Sequence, residues 1–138
     1  MGSNASIKGL GEIALRVNDL EQMAGFYEHV IGLERWQDLP DAVFFRIADG
    51  FEGHTRVLAL FDRRERDSEL PRSPTSTLDH FAFEISLSDY ESELRRLEGL
   101  GLDVRTREFP VFSWRGMFVK DPEGNTVELV CYDEDVST

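Results

Sequence analysis

Residues 120–133 read KDPEGNTVELVCYD, a turn followed by a strand that carries one carboxylate among apolar residues. The Pro-Glu-Gly-Asn run marks the turn, and the short β-branched and aromatic run after it predicts a strand. Strand alternation sends Val127, Leu129 and Cys131 to one face and Thr126, Glu128, Val130 and Tyr132 to the other. The first set is a core face. Glu128 must then meet water, a partner or a metal ion, because an unpaired buried carboxylate is too costly.

Working outward, residues 53–62, GHTRVLALFD, align without a gap against GNTVELVCYD at 124–133. The match is half of a longer repeat. GEIALRVNDLEQMAGFYEHVIGLERW from Gly11 and DHFAFEISLSDYESELRRLEGLGLDV from Asp79 share a plan of strand, capped helix and strand. Asp19 with Gln22, and Ser88 with Glu91, predict two capping-box starts. Leu20, Met23, Tyr27 and Val30 give the first helix an apolar stripe, and Tyr90, Leu94 and Leu97 give the second a thinner one. Gly32 and Gly99 stand where left-handed caps end such helices. The expected architecture is α+β: a first βαβββ module over 6–62, a charged, Pro-containing linker over 63–77 and a second βαβββ module over 78–133, together one domain.

The repeat places Glu12 and His80 at equivalent positions. In the first strand Ile13, Leu15 and Val17 face the helix, and Glu12, Ala14 and Arg16 face away. In the fifth, Phe81, Phe83 and Ile85 face the helix, and His80, Ala82 and Glu84 face away. The faces turned from the helices thus carry small and ionisable groups, as the lining of a ligand cup would. The gapless hairpin alignment makes Val57 the first-half counterpart of Glu128.

Composition bounds the function. The chain has 138 residues, 41% of them apolar and 30% charged, ordinary values for one globular domain. With 27 acidic against 15 basic residues the net charge is −12, which argues against nucleic acid and permits a cationic small molecule. No apolar run reaches membrane-spanning length and no signal peptide opens the chain; Met1–Ala5 reads as a cloning remnant. A single cysteine, Cys131, rules out an internal disulfide and makes the cytoplasm the expected compartment.

LGEIALRVNDLEQMAGFYEHVIGLE, LDHFAFEIS and FVKDPEGNTVELV together resemble the vicinal-oxygen-chelate superfamily, also called the glyoxalase, bleomycin-resistance and dioxygenase superfamily. The resemblance runs from about Ile7 to Tyr132. It implies paired βαβββ modules whose curved sheets form a cup around a divalent ion. By position it implies Glu12, His80 and Glu128 as metal ligands, with Val57 at a fourth-strand position where many isomerases carry one more. The implied ion is manganese, iron, cobalt, nickel, magnesium or zinc. Two carboxylates with one imidazole suit the harder ions over tetrahedral structural zinc. The implied activity is lyase, isomerase or dioxygenase chemistry on a small oxygenated molecule that chelates the ion through two oxygens. Glu128, or Glu84 in place of the missing fourth-strand base, would move protons, and Arg16, Phe44 and Trp114 would contact substrate. The competing reading is a non-catalytic drug-binding module of the bleomycin-resistance type. Family members often pair their modules between chains, so a symmetric homodimer is expected.

Overall fold

The computed structural model describes residues 6–65 and 78–137, apart from the side chain of Glu65. The chain divides into two compact units, residues 1–70 and 71–138. Most of the 63–77 linker lies outside the described residues.

In the first unit the order is β1 (Glu12–Val17), α1 (Leu20–Gly25), a π-helical turn (Phe26–Ile31), β2 (Glu34–Leu39), β3 (Ala42–Asp49) and β4 (Thr55–Asp62). The four strands form one sheet in the order β1-β4-β3-β2, with β1 parallel to β4 and the hairpins antiparallel. The parallel pair requires a crossover, and α1 with its π-turn supplies it. Asp19 caps α1, its carboxylate accepting from the Gln22 backbone N–H at 3.1 Å. The π-turn is a departure from the regular helix that the stripe predicts. It turns Phe26, Tyr27 and Ile31 into the core beside Met23, leaving Leu20 and Val30 only partly buried. Gly32 ends it at φ 93, in the left-handed region that glycine enters most easily.

The second unit repeats the plan with β5 (Phe81–Glu84), α2 (Leu87–Gly99), β6 (Arg105–Phe109), β7 (Trp114–Lys120) and β8 (Thr126–Tyr132). Its sheet order is β5-β8-β7-β6, again with one parallel pair, β5 and β8. Each unit is therefore a βαβββ module with a four-stranded mixed sheet, the α+β fold expected. Helix α2 starts two residues earlier than the capping-box pattern suggests. Ser86 is its N-cap, and its hydroxyl bonds Ser88 and Asp89 side chains instead of a backbone N–H. Gly101, not Gly99, takes the left-handed conformation after it, at φ 84. The second unit also runs past Asp133, since Asp133 and Val136 are both buried.

Two contacts set the frame for the site. Asp121 organises the β7–β8 turn, accepting from the backbone N–H of Glu123 and Asn125 at 2.9 Å each and from the Asn125 amide at 2.8 Å. Tyr90 of α2 is buried and donates its hydroxyl to the Gly116 carbonyl of β7 at 2.9 Å, which pins the helix to the sheet. Among the described residues no helix is long and apolar enough to cross a membrane.

Candidate metal and substrate site

Glu128 sits mid-strand in β8 and is only 5% exposed, although it lies on the sheet face turned from α2. Its burial has three neighbours behind it. Phe118 of β7 stands beside it in register, and Ala82 of β5 flanks it on the other side. Gly116, two residues before Phe118, leaves the gap that the carboxylate fills; a Cβ there would collide with the Glu128 carboxylate. A glycine inside a strand weakens it and commonly marks such a close approach. That is the signal in the sequence by which Gly116 could have been singled out.

His80, just before β5, reaches the same point. Its Nε2 lies 3.1 Å from Glu128 Oε1, and its Nδ1 lies 2.6 Å from the Asp79 carboxylate. Its ring also packs edge-on to Phe118, centroids 5.7 Å apart. Both ring nitrogens thus face a carboxylate at hydrogen-bond distance, Nδ1 toward Asp79 and Nε2 toward Glu128. Burial raises the Glu128 pKa above the ordinary carboxylate value, against the opposing pull of His80 and Arg107. A raised pKa means stability present at low pH and lost as pH rises through the folded-state value. Metal-stripped Glu128→Gln should therefore be more stable than the parent at neutral pH and should lose part of the decline toward alkaline pH. Thermal melts between pH 4 and pH 9 measure this.

The pair opens onto a cavity of about 1010 Å3 on the second sheet. Phe109, Phe112, Trp114 and Phe118 supply its aromatic wall, and Arg105, Arg107 and Lys120 its cations. Phe112 and Trp114 stack at 4.8 Å with 28° between their planes. The sequence reading had named Trp114 and missed the two arginines, because β6 reads as an ordinary exposed strand.

The other candidate residues fall elsewhere. Glu84 is on the same face as Ala82, roughly 7 Å further along the strand, exposed and outside the cavity wall. Glu12, Arg16 and Phe44 belong to the first unit. Glu12 is exposed at the start of β1; the Arg16 carbonyl accepts from Arg63 at 3.3 Å; the Phe44 ring meets Phe61 edge-on at 5.7 Å. Among the described residues of either unit taken alone, no three His, Cys, Asp or Glu side chains gather at one point.

The counterpart of Glu128 needs correcting. Glu128 pairs with Ala82, two residues past His80, and with Phe118. In the first unit the residue two past Glu12 is Ala14; it pairs with Ala59, and Ala59 pairs with Phe44. Ala59, fully buried, is thus the equivalent position, not Val57. The gapless alignment counts from the turn and misleads because β1 pairs with β4 two residues further along than β5 pairs with β8: Ile13 meets Leu58, whereas Phe81 meets Val127. Lateral pairing, not distance from the turn, decides what stands beside a site.

The family model for the glyoxalase/bleomycin resistance protein/dioxygenase superfamily matches residues 9–129. The chain belongs to that superfamily. Among solved glyoxalase-fold structures, it is similar to lactoylglutathione lyase from Agrobacterium tumefaciens, at 28% identity and TM-score 0.70 over 91% of this chain and 94% of that one. A glyoxalase/dioxygenase from Nostoc punctiforme shares the fold at 20% identity and TM-score 0.70, covering 97% of both chains. A genomically encoded fosfomycin resistance protein from Listeria monocytogenes shares it at 23% identity and TM-score 0.64, covering 96% of this chain and 99% of that one. The glyoxalase-superfamily fold agrees with the resemblance read from the closing hairpin.

Proposed function

We propose that this chain is a metal-dependent protein acting on a small oxygenated molecule, with His80, Glu128 and Glu12 as the ligands of one divalent ion. The observation that carries the reading is the buried Glu128 carboxylate facing His80 Nε2 at 3.1 Å on the wall of a large cavity. The donors fit such an ion. An imidazole nitrogen and a carboxylate oxygen converge, and Asp79 orients the ring as outer partners of metal-bound histidines do. A bound divalent ion would supply Lewis-acid stabilisation of an enolate, alkoxide or catecholate. The chain's own residues do the rest. Asp79 fixes the imidazole, Gly116 and Phe118 hold the Glu128 carboxylate in place, and the aromatic wall excludes water from one side of the substrate.

The test is spectroscopic. Cobalt-loaded protein should shift its visible absorption on adding tropolone, which offers two adjacent oxygens, and not on adding phenol. Identical responses to both ligands would contradict substrate chelation.

Ala59 bears on the reaction. An alanine neither ligates nor moves a proton, so we expect little turnover of the hemithioacetal of methylglyoxal and glutathione, despite the lyase among the similar structures. Ala59→Glu should tighten divalent uptake, and Val57→Glu should not; equilibrium dialysis against manganese separates the two. The same alanine favours the second reading, a binding module without turnover, which predicts ligand affinity unchanged by chelator treatment.

The protein is further proposed to form a cytoplasmic homodimer. Light scattering at micromolar concentration should give twice the 15.8 kDa chain mass; a folded monomer would contradict this.

A further inference from the structure

The −12 net charge suggests a cationic ligand, but the cavity wall argues the opposite. Its three carboxylates are all engaged. Asp79 and Glu128 both bond His80, and Asp103 lies 3.4 Å from Arg105. Among the described residues, Arg107 makes no ion pair; its guanidinium lies over the Phe109 ring, 5.1 Å from the centroid. Lys120 is likewise without a carboxylate and bonds only the Thr126 hydroxyl, at 2.6 Å. A guanidinium held over an aromatic ring still has N–H donors to offer, in the fork that matches a carboxylate. Beside it the stacked Phe112 and Trp114 are 57% and 44% exposed, aromatic surface that water covers poorly.

We propose that this cavity takes a small planar molecule bearing a carboxylate, its ring against Phe112 and Trp114 and its carboxylate on Arg107. The assignment rests on the cavity being the substrate site and adds the substrate's chemical class. In an acidic protein a diffusing anion meets overall repulsion, so recognition needs a local cation that is not tied up in an ion pair. Arg107 is that cation. It lies on β6 opposite Gly116, the residue that makes room for Glu128, so an acid anchored there extends toward the His80–Glu128 pair.

Three ligands of one skeleton test the charge: salicylate, salicylamide and 2-hydroxybenzylamine, titrated by ligand-observed NMR into chelator-treated protein. Salicylate should bind about tenfold more tightly than salicylamide, the size of a charge-assisted contact. Arg107→Gln should erase that preference while leaving salicylamide affinity unchanged, and Arg107→Lys should restore it in part. Equal binding of acid and amide, tighter binding of the amine, no binding of any of the three, or a preference that survives Arg107→Gln would overturn the assignment. Because the titrations are done without metal, failure here leaves the metal reading standing. Loss of metal uptake in His80→Ala likewise says nothing of Arg107.

Discussion

His80→Ala should lower divalent-ion affinity by at least about a hundredfold, beyond what losing an outer hydrogen-bond partner produces. The substitution removes the imidazole that faces Glu128 and leaves a buried carboxylate, its pKa raised by burial, as the remaining donor of the pair. The protein should remain folded, since His80 precedes β5 and its side chain is about one-third exposed. Asp79→Asn, which keeps the ring but weakens its orientation, should cost about tenfold. Uptake by the parent should tighten as pH rises, because a metal ligand must be deprotonated to bind and burial raises the Glu128 pKa. Competition against a fluorescent chelator gives all of these constants. Equal affinity in His80→Ala and parent would remove His80 from the site.

The second large effect is expected at Gly116, which touches no ligand. Gly116→Ala puts a methyl group where the Glu128 carboxylate lies, while the Tyr90 hydroxyl holds the Gly116 backbone in place. Overpacking of this kind costs about 1–3 kcal/mol. The cheapest relief is rotation of Glu128 away from His80, so metal affinity should fall at least about tenfold along with stability. A double-mutant cycle isolates the cause. In a Glu128→Ala background the same substitution should cost little, because the space is then vacant. A full-sized penalty in that background would locate the strain elsewhere in the sheet.

How much of this could be read beforehand follows the physics of each signal. Strand parity placed Glu128 and His80 on the face turned from the helix, and the structure puts them there, because alternation depends only on local backbone geometry. Asp19, Gly32 and the Asp121 turn were legible for the same reason. The π-turn at Phe26–Ile31 was not, since 3.6-residue periodicity has no term for an inserted residue. Ala59 was hidden because β1 pairs two residues further along β4 than β5 does along β8, which only lateral pairing reveals. Arg107 and Gly116 were missed because their importance lies in what stands beside them across β6, β7 and β8, and a strand's own composition does not record its neighbours. Glu12 was placed by the repeat alone, and its role as a ligand stays a proposal.

Binding of a divalent ion by the buried Glu128 carboxylate and the His80 imidazole is the role proposed for the site. It is tested most directly by elemental analysis of the protein purified without chelator and then dialysed against manganese or cobalt. The account predicts about one equivalent of a divalent ion per chain, lost on His80→Ala and on Glu128→Gln. A folded protein that retains no ion from either solution, with the two variants indistinguishable from the parent, would contradict it.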